Sequence, residues 1–137
     1  MRTAAVLIAR LIFAGVFAMA AGFKFAAMGM TANEIAGAGF PVPHLLAWLA
    51  AIFEIALALA FLTGAFFAEA CVLAIVYVLF LAFAFHGPGR WTANPMEFGF
   101  FVDHFVFTAG LLFAAVHGPG SAFALRWSLV NRTRSAR

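Results

Sequence analysis

The chain has 137 residues, of which 66% are hydrophobic and 9% charged, with a formal net charge of +3 and a mean hydropathy of +1.08. Soluble domains are about 45–50% apolar and about 25% charged, so this composition excludes a water-soluble enzyme. The eight basic residues form no phosphate-tracking patch, which excludes a nucleic-acid-binding protein. We therefore expect the chain to lie in a lipid bilayer.

Four apolar stretches are long enough to cross a bilayer, which requires about 20 residues as a helix. They show no alternation of polar and apolar residues, and only helices or closed barrels span lipid. Gly-Pro-Gly sequences at 87–89 and 118–120 predict the ends of the third and fourth stretches. The sequence thus predicts an all-α membrane protein, a four-transmembrane-helix bundle within residues 1–120, with helices at about 4–26, 44–63, 67–86 and 97–117.

The two ends of the chain carry most of its Lys and Arg residues, and the positive-inside rule then places both termini in the cytoplasm. Arg2 and the apolar run up to Ala18–Ala20 also resemble a signal peptide. Arg10 interrupts that run, so we expect the first helix to be retained. Residues 121–137 form a basic cytoplasmic tail, either an interfacial helix or a disordered segment.

The loop between the first two spans carries two local signals. Thr31 and Glu34 have the spacing of a capping box, which predicts a short helix that begins there and lies on the membrane. The sequence Phe40-Pro41-Val42-Pro43 predicts an extended entry into the second span, because proline disfavours the helical conformation of the residue before it.

Ionisable residues inside the spans are the candidate functional residues, because a charge at the bilayer centre costs at least about 2.5–3.5 kcal/mol. Arg10 and Lys24 are fourteen positions apart and share one face of the first helix. Alanine and glycine flank Glu54 and Asp103 at helical spacing, and such small residues mark faces on which membrane helices pack. We expect these side chains to point into the bundle. The candidates are Arg10, Lys24, Glu54, His86, Asp103 and His104.

Depth along the helices predicts two ion pairs. Arg10 and Glu54 lie about 9 Å and about 13 Å from the cytoplasmic ends of their helices, at about 1.5 Å per residue. An arginine side chain can bridge that difference, which predicts an Arg10–Glu54 pair. Asp103 lies nearer the outer side, where we expect Lys24 to be its partner. Such pairs either fix helix register or serve a function.

The spacing of the histidine and acidic residues does not favour a haem or a metal site. His86 ends the third span, and His104 would lie about 10 Å deeper by helical rise, which disfavours a bis-His haem. A zinc or iron site made from His86, Asp103, His104 and Glu54 is equally unsupported, so we expect no metal. Cys71 is the single cysteine, which excludes disulfides and Cys-based zinc sites.

The remaining ionisable residues have structural interpretations. His44 and His117 lie at helix ends, where they are expected to act as interfacial caps. Glu69 and Glu97 lie near helix starts, where an acid is favoured by the positive end of the helix dipole.

The ordered set of Arg, Lys, Glu and His along the spans resembles the DoxX family of membrane proteins over roughly residues 7–117. One departure concerns the fourth helix, where Asp103-His104 replaces the Lys-Asn pair of many members and inverts the local charge. The resemblance is carried by Arg10–Gly15 and Ala21–Phe25, by Ala38–Pro43, by Glu54 and Gly64 in and after the second helix, and by His86-Gly87.

The resemblance implies a link to quinones and membrane redox chemistry, and we expect a multi-pass protein of the bacterial inner membrane. The family includes a subunit of thiosulfate:quinone oxidoreductase and members implicated in thiol-redox and oxidative-stress complexes. Its implications stop at this level, since the inverted charge at Asp103-His104 separates this chain from many members.

The first functional hypothesis is a membrane subunit with a quinone as its candidate ligand and with protein partner subunits or a homo-oligomer. Phe-rich helices would take the apolar tail, and imidazoles change charge between about pH 5 and 8, as proton exchange requires. The alternatives are a non-catalytic assembly or accessory subunit and a small transporter or lipid-binding protein. The proton-exchange residues would be Glu54, Asp103 and His104, and the ligand-binding residues Arg10, Lys24 and His86.

Overall fold

The computed structural model describes residues 2–125, 127 and 128. This part of the chain forms five α-helices and one short 3₁₀ helix and contains no strand. Four helices are long and apolar enough to cross a membrane, and their bounds agree with the predicted spans to within about two residues. The predicted all-α architecture with four spans is therefore confirmed. The elements are α1 (Arg2–Ala26), α2 (Met28–Gly37), α3 (Pro43–Thr63), α4 (Phe67–His86), the 3₁₀ helix (Pro88–Arg90) and α5 (Met96–His117).

The chain divides into two compact units. The first unit contains α1, α2, α3 and the segment that begins at Pro119, and the second contains α4, the 3₁₀ helix and α5. The predicted division into a membrane domain over 1–120 and a tail over 121–137 stays a prediction, as does the cytoplasmic location of the termini.

Aromatic side chains set the antiparallel register of α1 and α3 in the first unit. The ring of Phe61 lies 5.4 Å from that of Phe13 and 5.7 Å from that of Phe17. Near the other end of the pair, Phe25 lies 5.7 Å from Trp48. Small buried residues line the same contact and let the two backbones approach closely, namely Ala14, Ala21, Ala47 and Ala51.

Helix α2 confirms the predicted short helix but not its predicted start. It begins at Met28, and no side chain caps its amino terminus. The Thr31 hydroxyl donates to the Ala27 carbonyl at 3.4 Å instead of capping, because the amide of Thr31 already continues the helix by bonding that carbonyl at 3.1 Å. The capping-box prediction is therefore wrong.

A Schellman motif ends α2 and turns the chain toward α3. The amide of Phe40 donates to Ile35 O at 3.2 Å, and that of Gly39 donates to Ala36 O at 2.9 Å, with φ +85° at Gly39. Val42 then adopts the left-handed conformation, with φ 47° and ψ 51°. The predicted extended entry is wrong here, since Pro43 already lies in the first turn of α3 and the chain must turn within the residues before it.

Edge-to-face aromatic contacts join α4 to α5 in the second unit. Phe83 lies 5.2 Å from Phe101 and 6.0 Å from Phe105, with interplanar angles of 84° and 78°. Such T-shaped pairs are favourable because the positive ring edge meets the negative ring face. The contacts fix the level at which the end of α4 meets the first turns of α5.

The segment after Pro119 folds back on the ends of α1 and α3. The amide of Leu125 donates to Thr63 O at 2.8 Å. Gly64 ends α3 with φ +74°, and a Cβ added there would lie 3.0 Å from Ala124 Cβ and 3.2 Å from Ala124 Cα. Residues 121–125 form no helix, and the rest of the predicted interfacial helix, at 126 and 129–137, lies outside the described residues.

We expect Gly64→Ala to lower the free energy of unfolding by about 2–3 kcal/mol, combining left-handed strain with crowding against Ala124. Gly39→Ala is the matched control, because its φ is also positive but an added Cβ meets nothing within 4 Å. Its expected cost is about 1–2 kcal/mol from strain alone. Thermal unfolding in detergent micelles measures both, and equal losses would contradict the close packing of the segment on Gly64.

Candidate functional site

An ion pair lies inside the first unit, between α1 and α3. Lys24 Nζ donates to Glu54 Oε1 at 2.7 Å, and the side chains are 20% and 2% exposed, respectively. A buried carboxylate needs such a partner, because an uncompensated charge in a low-dielectric interior is strongly unfavourable. The structure thus brings together two of the predicted site residues, in a pairing that the sequence did not predict.

The predicted Arg10–Glu54 pair is wrong, and the register of α1 and α3 explains why. The Lys24 ammonium, which was expected to pair with Asp103, binds Glu54. The predicted pair requires the beginning of α1 and the end of α3 to be level with one another. Phe13 packs on Phe61, and Arg10 lies one turn before Phe13 in α1. Arg10 is therefore level with the end of α3, where it donates to Leu62 O. Glu54 lies more than two turns before Leu62 in α3, at 3.6 residues per turn, and is too far from Arg10. Lys24 reaches Glu54 instead.

Arg10 is bound by main-chain carbonyls. Its Nη1 donates to Pro119 O at 2.9 Å, and its Nη2 donates to Phe123 O at 2.8 Å and to Leu62 O at 3.4 Å. The side chain is buried, with 1% exposure. Leu62 O belongs to the last turn of α3, where the negative end of the helix dipole favours a cation. Arg10 therefore holds the returning segment against α1 and α3.

Two imidazoles and a carboxylate meet in the second unit, where α4 ends and α5 begins. We call His86, Glu97 and His104 the imidazole cluster. His86 Nδ1 and Glu97 Oε2 are 2.6 Å apart, and the rings of His86 and His104 are 5.1 Å apart with an interplanar angle of 42°. Both side chains of the His86–Glu97 pair are partly exposed, at 26% and 18%, so the pair is not fully enclosed by the protein.

The hydrogen bonds of the imidazole cluster determine which ring nitrogens remain available. His104 Nδ1 lies 2.6 Å from the Phe100 carbonyl, which only accepts, so Nδ1 carries the hydrogen. A carboxylate also accepts hydrogen bonds, so we assign the hydrogen of the His86–Glu97 contact to His86 Nδ1. In both rings Nε2 is then the atom that can accept a proton or a hydrogen bond. Within the described residues neither Nε2 makes a hydrogen bond.

Aromatic side chains support the imidazole cluster from the 3₁₀ turn and from α5. Trp91 Nε1 donates to the His86 carbonyl at 2.8 Å, which satisfies an acceptor at the carboxyl end of α4. The Trp91 ring packs edge-to-face on Phe98 at 5.0 Å and on Phe101 at 5.2 Å. Phe100 lies 5.4 Å from the His86 ring. The cluster therefore combines polar atoms with an apolar wall.

The expected depth difference of His86 and His104 is wrong. Helix α5 begins beyond the level of His86, so that His86 meets Glu97 in its first turn and His104 about two turns later. The contact of Glu97 with His86 was not predicted, because the helix dipole alone explains an acid at that position. Its seven-residue spacing to His104 placed both on one face of a helix and was the available signal.

The other predicted residues lie apart from these two groups. The Asp103 side chain is exposed on α5, which corrects the expectation that it points inward. His117 Nδ1 lies 2.8 Å from the Phe113 carbonyl, and His44 is exposed in the first turn of α3. Among the described residues, no three of the types His, Cys, Asp and Glu are grouped so that they could hold a metal ion.

Four apolar membrane-length helices with paired ionisable side chains define a multi-pass integral membrane protein. The chain matches the DoxX family over residues 5–87, more than half of its length, and belongs to that family. The matched region includes Arg10, Lys24, Glu54 and His86 and ends before α5. No curated protein and no solved structure matches the chain.

We expect Glu54→Leu and Lys24→Met each to lower the free energy of unfolding by about 3–5 kcal/mol, because each removes one of the two opposite charges of the pair. The double variant Lys24→Met/Glu54→Leu is expected to recover most of that loss. Equilibrium unfolding in mixed micelles measures all three variants. A double variant as unstable as the sum of the single ones would contradict a direct pair.

We expect Arg10→Gln to lower the free energy of unfolding by about 2–4 kcal/mol, since charged hydrogen bonds to buried carbonyls are lost. It should also expose the segment 119–125 to protease. Arg90→Gln is the control, because within the described residues the half-buried Arg90 side chain forms no ion pair. Equal protease sensitivity in the two variants would contradict the assignment of Arg10 as the anchor of that segment.

Proposed function

We propose that this protein is a subunit of a quinone-linked redox system in the bacterial inner membrane, and that the imidazole cluster holds the quinone or quinol head group. The observation that carries the proposal is the arrangement of the two imidazoles. Their rings are 5.1 Å apart, and each Nδ1 is already engaged. The Nε2 atoms of His86 and His104, at the junction of α4 and α5, would then be available to bind the head group.

Proton exchange at this cluster follows from its hydrogen bonds. Oxidation of a quinol releases two protons and two electrons, and His86 Nε2 would accept one proton from a quinol hydroxyl. The imidazolium formed in this way is stabilised by the Glu97 carboxylate, which lies 2.6 Å from Nδ1. His104 Nε2 would take the second proton. In the reverse direction the same atoms donate protons to quinone oxygens.

Electron transfer requires a partner in this proposal. The sequence contains one cysteine and therefore no dithiol pair that could be oxidised to a disulfide within the chain. The two electrons of the quinol would pass to a redox cofactor held by a partner subunit. The chain itself would bind the head group, orient it and move the protons.

Apolar surroundings suit a ligand of this kind. Phe100 and Trp91 lie beside His86, and a planar quinone ring can pack against such aromatic side chains. The exposed residues of α4 and α5 include large apolar side chains such as Phe80 and Phe98. An isoprenoid tail can lie along such a surface within the lipid.

The other predicted site residues keep their proposed roles as hypotheses. Glu54 and Asp103 are proposed for proton exchange, and Arg10 and Lys24 for ligand binding. Of these, the Lys24–Glu54 pair best suits a second proton-exchanging site, because the Lys24 side chain retains 20% exposure while it holds a buried carboxylate. Arg10 has all three of its hydrogen bonds on main-chain carbonyls and best suits structural support.

A non-catalytic assembly subunit is the second candidate function. Helix α5 favours it, since 11% of its most apolar stretch is buried, compared with 28–33% for the other three spans. An apolar helix with so little buried surface leaves area for a neighbouring protein. The two functions are compatible, because a quinone-binding subunit also requires a partner.

Quenching of Trp fluorescence by a short-chain benzoquinone tests the proposal in vesicles that contain the protein. We expect saturable quenching in the wild type and at least about a tenfold weaker apparent affinity in His104→Gln, which loses one hydrogen bond to the head group. His117→Gln is the matched control. Its Nδ1 also faces the carbonyl four residues earlier, and its affinity should equal that of the wild type.

Two further measurements make the result specific. Trp91→Phe should remove most of the saturable quenching, because Trp91 donates to the His86 carbonyl and belongs to the same unit as the cluster. Thermal unfolding of each variant checks that the fold is retained. Equal affinity in His104→Gln and His117→Gln, or an absence of saturable quenching in the wild type, would overturn the proposal.

A further inference from the structure

Helix α5 carries an exposed carboxylate within its membrane-length stretch. Asp103 follows Met96, the first residue of α5, by seven positions, which places it about 10 Å along the helix axis at about 1.5 Å per residue. Its side chain is exposed. Aspartate is too short to reach the membrane surface from that depth by extending its side chain, as lysine or arginine can.

Asp103 lies on the side of α5 that faces away from α4. The buried residues of α5 are Thr108 and Leu111, and Phe101 packs on Phe83 of α4. At about 100° per residue, Asp103 is about 140° around the helix from Thr108 and about 160° from Phe101. Within the described part of the chain, no ion pair or hydrogen bond is made by its carboxylate.

The residues around Asp103 leave room for another helix. We call Gly99, Asp103, Val106 and Gly110 the Asp103 face, because successive members are three or four positions apart. Gly99 is exposed, and a Cβ added there would meet nothing within 4 Å. Val106 is 67% exposed. Glycine at two of four positions allows close approach of a second backbone.

We infer that the Asp103 face is a docking surface for a transmembrane helix of a different protein, which carries a lysine or arginine at the depth of Asp103. Charge complementarity determines the occupant. An ionised carboxylate among apolar residues in lipid is strongly unfavourable, and a cation on a packed helix removes that cost. This inference does not depend on the proposed quinone site.

A second copy of the chain suits this face less well. Two copies inserted in the same orientation and packed through the same face would place two Asp103 carboxylates at the same depth. Like charges at close range disfavour such a pair. A heteromeric partner that supplies the opposite charge compensates the carboxylate and can pack closely at Gly99.

Designed transmembrane helices provide the test. The full-length protein with a donor fluorophore at its amino terminus is reconstituted in vesicles with polyleucine helices that carry an acceptor and one lysine at the matching depth. We expect energy transfer that reports at least about tenfold stronger association than with the same helix lacking lysine. A helix with its lysine two turns deeper should behave like the lysine-free helix.

Variants of the protein separate the charge from the shape of the surface. Asp103→Asn should reduce association to the level of the lysine-free helix, and Glu34→Gln, which changes an exposed acid on α2, should have no effect. Gly99→Leu should also weaken association by placing a bulky side chain on the Asp103 face, while an unchanged unfolding temperature shows that the fold is intact.

Three results would overturn the inference. One is equal association of helices with and without lysine. Another is lysine-dependent association that survives in Asp103→Asn. The third is Asp103-dependent energy transfer between copies of the protein in the absence of any designed helix, which would identify a second copy as the occupant.

Discussion

An ionisable side chain in a membrane-spanning helix needs a polar partner within the reach of its own atoms, and this constraint shapes both units of the protein. The Glu54 carboxylate is held by Lys24 at 2.7 Å, the Arg10 guanidinium by three main-chain carbonyls, and His86 by Glu97 at 2.6 Å. Each solution lowers the cost of taking a polar group out of water. Each also fixes how two or more chain segments meet.

The three kinds of polar partner, namely a lysine, main-chain carbonyls and a glutamate, have different chemical consequences. Main-chain carbonyls cannot take up a proton, so Arg10 contributes support. The Lys24–Glu54 pair joins α1 to α3 through two ionisable side chains. The imidazole cluster differs from both. A carboxylate and a carbonyl each occupy one ring nitrogen, which leaves the other nitrogen of each ring available. Asp103 is the contrasting case, exposed on the far side of α5, and its need for a counter-charge leads to the proposed partner helix.

The spans were predictable from the sequence because length and apolar composition decide whether a helix can cross a bilayer. The candidate residues were found by the same logic, since a charge in an apolar run stands out. Their pairing was not predictable, because it depends on register. Packing of Phe13 on Phe61 moves Arg10 to the end of α3, and the overhang of α5 brings His104 beside His86. Aromatic packing of this kind leaves no periodic signal in one sequence.

Nitrogen NMR of histidine-labelled protein in bilayers tests the central claim most directly, because it reads the protonation of each ring atom. We expect neutral His86 and His104 to carry hydrogen on Nδ1. We also expect a short-chain quinol to shift their Nε2 signals and to leave those of His44 and His117 unchanged. Hydrogen on Nε2 of His86 or His104 without ligand, or equal shifts at all four histidines, would contradict this claim.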